Sequence, residues 1–218
     1  LATYGIISAA ALPVVLYPTA FVGAFSSLII PEVTEFDAKE NRREVAYVTS
    51  RAFAVTLFCS VPAAGFFGAF AADICRVVYG DTAAADYLRM LAPLMPVMFL
   101  DTVTDSILKG LGKQFYTMCV NIADAAVSVL LVALLVPKTG IVGYIAVIYV
   151  SECINTLFSI GKLCACVDFR ARPYKWLLAP LAAAVGAARL AVPVLARLGL
   201  AASWGELALA FCLFAALY

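Results

Sequence analysis

Residues 5–31 contain no charged side chain across 27 consecutive positions. As an α-helix that run would be roughly 40 Å long at about 1.5 Å per residue, more than the roughly 30 Å hydrocarbon core of a bilayer. Lipid offers no partner to a free backbone N–H or C=O, so only helices and closed barrels cross it. The run does not alternate apolar with polar residues, as a barrel strand would. It therefore predicts a membrane helix, bent by Pro13 and Pro18.

Six more runs follow the same rule: 52–72, 87–109, 115–136, 141–161, 176–198 and a last one from 204 that reaches the end of the sequence at Tyr218. The expected fold is all-α, a polytopic bundle of about seven membrane helices. Residues 32–51 hold the densest charge and predict a solvated helical linker. Tyr79-Gly80-Asp81 and Pro137-Lys138-Thr139-Gly140 predict tight turns. Pro62, Pro93 and Pro96 interrupt the second and third runs and, with Pro13 and Pro18, are hinge candidates. The chain opens in one apolar run and stops in another, which reads as a piece of a longer protein.

Only 13% of residues are charged and 65% are hydrophobic, against about a quarter and a half in a soluble domain. There is no His, no basic stripe and no phosphate loop, so neither nucleic-acid binding nor catalysis is expected. Cys164 and Cys166 form a lone C-x-C among seven cysteines. Zinc spacings are absent, so no metal site is expected.

Lys and Arg set the orientation. Ten of them, including Lys39, Arg42, Arg43, Arg51, Lys109, Lys113 and Lys162, follow the first, third and fifth runs; Arg76, Arg89, Lys138 and Arg197 lie on the other side. This places the odd-numbered loops and the C-terminus in the cytoplasm of a multi-pass cell-membrane protein.

Against that background, acids within the apolar runs stand out. Asp101, Asp105 and Lys109 are spaced by four and share a helix face. Asn121, Asp124 and Ser128 share another, and Glu152, Asn155 and Ser159 a third. Counted from the helix ends, Asp101, Asp124 and Glu152 lie roughly 12–15 Å into the bilayer or near its middle. Ionisable groups at that depth usually face protein or a wet cavity. Asp101, Asp105, Asn121, Asp124, Glu152 and Asn155 are therefore candidates for a polar cavity that takes a cation or polar substrate. The alternative is hydrogen bonding between helices together with an Asp105–Lys109 pair. Arg51 and Arg189 are candidate phosphate contacts, with topology or snorkelling as their alternative roles.

Three stretches carry a family likeness: ALPVVLYPTAFVGAFSSLIIPEVTE from Ala11 to Glu35, ILKGLGKQ from Ile107 to Gln114, and NIADAAVSVLLVALLVPKTGIVGYIAVIYVSECIN from Asn121 to Asn155. Together they resemble the polysaccharide biosynthesis and stage V sporulation protein B family of the multidrug/oligosaccharidyl-lipid/polysaccharide exporters. The resemblance implies part of a fourteen-helix, MATE-like flippase. Residues 1–168 would be helices eight to twelve, most of the C-terminal six-helix lobe. Residues 169–218 would be the extra C-terminal pair, with the last helix truncated. It implies alternating access, an undecaprenyl-linked glycan as substrate, the missing N-terminal lobe as partner, and a coupling cation, Na+ or H+, without another cofactor. Relatives that flip the peptidoglycan precursor use cavity arginines, whereas the candidates here are mainly acidic. A cation-coupled multidrug antiporter and a non-transporting membrane scaffold are the alternatives.

Overall fold

A computed structural model describes residues 12–16, 18–168, 180–183 and 212. Among these the fold is all helical. The helices are α1 (Leu12–Leu16), α2 (Thr19–Ala38), α3 (Arg42–Ala69), α4 (Ala71–Tyr79), α5 (Ala85–Leu91), α6 (Met95–Gly110), α7 (Gln114–Thr139) and α8 (Ile141–Cys166). A 3-10 turn, Ala92–Leu94, joins α5 to α6. Four stretches are long and apolar enough to cross a membrane: Arg42–Ala69, Ala85–Gly110, Gln114–Thr139 and Ile141–Cys166. These correspond to the second to fifth apolar runs. The sixth and seventh runs, with Arg189, lie outside the described residues except for 180–183 and 212.

The first run differs from expectation. It is broken between α1 and α2 at Pro18, which forms a turn; proline lacks the N–H a continuing helix needs. Pro13, by contrast, lies inside α1. α2 then passes through Pro31 and ends at Ala38, because one missing N–H is tolerated where packing holds the helix. The expected linker is therefore almost all helix, with only Lys39, Glu40 and Asn41 outside α2 and α3. Just past the end of α2, the exposed Lys39 pairs back with Glu35 and holds its carboxyl below the usual carboxylate range. Pro62 is likewise carried within α3. Pro93 sits in the 3-10 turn and Pro96 in the first turn of α6, where a proline leaves no internal helical bond unmade.

The turn expected at 137–140 reduces to one residue. α7 runs through Pro137 to Thr139, and Gly140 alone reverses the chain with φ 63° and ψ −135°. That backbone region is open to glycine and strained for other residues. Gly140→Ala is expected to destabilise the α7–α8 hairpin by about 1–3 kcal/mol, read as a lower unfolding midpoint of the full-length protein in detergent. Gly80, at φ 71° and ψ 3°, caps α4 in the left-handed helical region, its N–H donating to the Arg76 carbonyl at 2.9 Å.

The chain divides into two compact units, and among the described residues it passes from one to the other between Pro18 and Thr19, within α3, and between Pro96 and Val97 of α6. One unit contains residues 57–96, with α1. α4 and α1 both pack on α5 here. α4 buries Ala71, Ile74 and Cys75, the spacing of one helix face. Burial pushes the Cys75 thiol up. The rings of Phe66 and Phe70 meet at 5.1 Å between centroids, tilted by 39°.

The other unit contains residues 19–56 and 97–171. α7 and α8 form an extensively packed antiparallel pair. In α6, Val103, Ile107 and Leu108 are fully buried. α2 comes so close to α6 that a Cβ on Gly110 would lie 3.0 Å from the Ile30 carbonyl oxygen and 3.0 Å from Val33 Cβ. Thr34 Oγ1 reaches the Gly110 carbonyl at 3.0 Å across the same contact. Small residues permit such close helix crossings in membranes, where van der Waals packing replaces the hydrophobic drive. α7 turns Val127, Leu130 and Leu134 outward, as a helix against lipid does.

Candidate functional site

In the second unit the polar residues of α6, α7 and α8 meet. The hydroxyls of Thr102, Thr104 and Ser106 bond back to carbonyls one turn earlier on α6. They are satisfied within their own helix, which leaves Asp101 and Asp105 as the α6 groups that reach neighbours. Asp105 is buried. Its Oδ2 accepts from the Asn121 amide at 3.1 Å and its Oδ1 from the Ser159 hydroxyl at 3.1 Å. The Asn155 amide nitrogen donates to Asp101 Oδ2 at 3.0 Å and to Asn121 Oδ1 at 3.2 Å. Two carboxylates, two amides and a hydroxyl thus join three helices.

A second cluster lies about one helical turn along. The Ser151 hydroxyl donates to the Asp124 carboxylate at 2.7 Å. Ser151 Oγ is also 2.7 Å from Ser128 Oγ. The one Ser151 proton goes to Asp124, so Ser128 is the donor to Ser151.

Within this polar layer two buried acceptors, Asp101 Oδ1 and Asn155 Oδ1, have no hydrogen-bond partner among the described residues. They belong to the same hydrogen-bonded pair. A buried unpaired acceptor costs about 1–3 kcal/mol, so this pair is suited to receive a proton or a cation.

Two clefts reach the polar groups. One, of about 740 Å³, is lined by Asn121 together with Lys109, Phe115, Met118, Ile122 and Ala125. The other, of about 500 Å³, touches Ser128, Ser151 and Glu152 above an apolar wall that includes Val132 and Ala133.

Asp101, Asp105, Asn121 and Asn155 are thus brought into direct contact, and Asp124 is held nearby by serines. Glu152 is half-buried and makes no hydrogen bond among the described residues. On α8 the bonding stripe is Ser151, Asn155 and Ser159, all buried, with Glu152 beside it. Ser151 was the partner missed; its spacing of four and eight from Asn155 and Ser159 was the available signal. The Asp105–Lys109 pair is not formed; Lys109 is exposed. Arg51 is exposed on α3 and takes no part in the α6–α8 hydrogen bonds among the described residues.

The MatE family model matches residues 1–135 of the chain. Stage V sporulation protein B of Bacillus subtilis (strain 168) is 22% identical over 142 residues, which is 64% of this chain and 27% of that protein. The chain therefore spans about a quarter of the length of this curated relative. No solved structure matches it. With apolar membrane-length helices and a family match over more than half its residues, the chain is a membrane protein that belongs to the MatE family.

Proposed function

We propose that the chain is the C-terminal part of a flippase that moves a lipid-linked oligosaccharide or polysaccharide precursor across the cell membrane by alternating access. One observation carries the reading: in a MatE-family chain, carboxylates of α6 and α7 meet amides and hydroxyls of α8 within helices of membrane-crossing length, with clefts leading to them. The Asp101–Asn155 pair is the proposed receiver of the coupling cation, Na+ or H+. Rearranging Asp101, Asn155, Asn121 and Asp105 as that charge arrives or leaves would couple it to movement of the helices. Pro18 and Pro96 are the proposed hinges best placed for this, since the boundaries between the compact units fall at both. Arg51 and Arg189 are proposed to meet the diphosphate of an undecaprenyl-linked glycan. Residues 1–168 would supply family helices eight to twelve and 169–218 the terminal pair.

A second reading is a cation-coupled multidrug antiporter. It is favoured by one feature: the hydrogen-bonded network holds acids and no base. Full-length protein reconstituted in vesicles separates the two. Translocation of an undecaprenyl diphosphate oligosaccharide, with no export of a cationic dye, supports the flippase. Dye export without glycan translocation transfers the assignment to the antiporter.

The proposed orientation has its own check. Cys164 and Cys166, at the end of α8, are free thiols. With the odd-numbered loops cytoplasmic, an impermeant maleimide added to intact cells is expected to leave both unlabelled until the membrane is opened. Labelling from outside would invert the topology.

A further inference from the structure

The second unit has a charged cleft that the proposed transport site does not use. It has a volume of about 780 Å³ and lies where α2 ends, α3 begins, α6 turns into α7, and α8 ends. α3, α6, α7 and α8 belong to stretches of membrane-crossing length, so the place where their ends gather lies at the depth of the lipid headgroups. Arg42, Arg43 and Lys113 line the cleft, with Val45, Leu111 and Val167 as apolar wall. Asp37 and Asp168 also line it. The ion pairs among the described residues are Lys39–Glu35 and Arg89–Asp86. None of the three cleft cations is paired with either acid, and none has a side-chain hydrogen bond among the described residues.

Three cations against two carboxylates leave a net charge of +1 over a partly apolar surface. The ligand that complements this is a singly charged phosphodiester with an apolar continuation. Guanidinium groups grip phosphate oxygens in pairs, and an ammonium adds a point charge. Basic pockets between membrane helices at the bilayer surface are suited to lipid headgroups. We propose that this cleft binds the phosphate of an anionic phospholipid from the surrounding membrane, fastening the loop ends of α2, α3 and α6 to the end of α8. Free phosphate shares the charge chemistry but offers nothing to Val45, Leu111 and Val167, and it is not concentrated at the membrane.

The test uses the detergent-solubilised full-length protein. Retained lipid is counted by native mass spectrometry, and the thermal midpoint is followed during titration with phosphatidylglycerol, phosphatidylcholine or inorganic phosphate. Phosphatidylglycerol is expected to bind and raise the midpoint, and the other two are not. A triple variant, Arg42→Gln, Arg43→Gln and Lys113→Gln, is expected to bind phosphatidylglycerol roughly a hundredfold more weakly, at about fivefold per cation removed. Lys109→Gln, outside this cleft, is expected to bind as wild type does. Asp37→Asn with Asp168→Asn is expected to bind more tightly, which separates lost recognition from lost folding. Equal phosphatidylglycerol binding by wild type and the triple variant would overturn the proposal. So would equal stabilisation by inorganic phosphate, which would make the cleft a site for the free ion, or weaker binding in the double Asp variant.

Discussion

Replacing Asp105 by asparagine in the full-length protein is expected to reduce transport roughly tenfold to a hundredfold while the protein still reaches the membrane. Asp105 accepts one hydrogen bond on each oxygen, from Asn121 and from Ser159. An asparagine can keep its oxygen toward the Asn121 amide only by turning its NH2 to Ser159, whose hydroxyl must rotate to accept, and the charge that strengthened both bonds is gone. Hydrogen bonds to a charged group are worth about 1.5–3 kcal/mol, the range from which the expected factor follows. Asp101→Asn should fall in the same range, because it removes charge from the pair with unpaired acceptors. Asp124→Asn, which meets Ser151 alone, should lose less. Flux of a lipid-linked oligosaccharide, normalised to membrane level, makes the comparison. Wild-type flux in both Asp101→Asn and Asp105→Asn would reduce the network to a structural tie between helices.

The largest effect on stability is expected at Gly110. Even the methyl of Gly110→Ala would press on the Ile30 carbonyl and Val33 at 3.0 Å. One of the two obstacles is backbone, so relief requires α2 and α6 to move apart, loosening the Thr34 contact as well. Overpacking of this kind costs about 1–3 kcal/mol, and Gly110→Leu should exceed it. Gly161→Ala is the control: a Cβ there meets nothing within 4 Å, and alanine is the better helix former by about 1 kcal/mol. Unfolding midpoints in detergent should fall for Gly110→Ala and hold or rise for Gly161→Ala. Equal midpoints for the two variants would mean that α2 and α6 do not cross closely.

Apolar length made α3, α7 and α8 legible, because lipid leaves the backbone few options. Proline was the less reliable signal. It broke the first run at Pro18, yet Pro31, Pro62 and Pro137 lie within helices. Whether such a helix continues depends on its neighbours, and one sequence does not display them. The three polar stripes were also legible, but not which of two adjacent residues does the bonding. Ser151 and Glu152 are only about 100° apart around α8, and each has helical spacing to Asn155. The acid drew the assignment, while the hydroxyl holds Asp124. Spacing could not tell where the Asp101-Asp105-Lys109 stripe leaves the interior either; Asp105 finds partners on α7 and α8, and Lys109 turns out.

The central claim is that the polar layer of α6, α7 and α8 faces a wet interior of the full-length protein. Single cysteines introduced into a cysteine-free background test it most directly. Ala125→Cys and Ala133→Cys each lie in a cleft that reaches the layer, and Leu130→Cys lies on the outward face of α7. In membranes, a hydrophilic methanethiosulfonate is expected to modify the first two far faster than the third, and a transported glycan should slow the reaction. Three equally inert cysteines would place the polar layer against lipid and contradict the account.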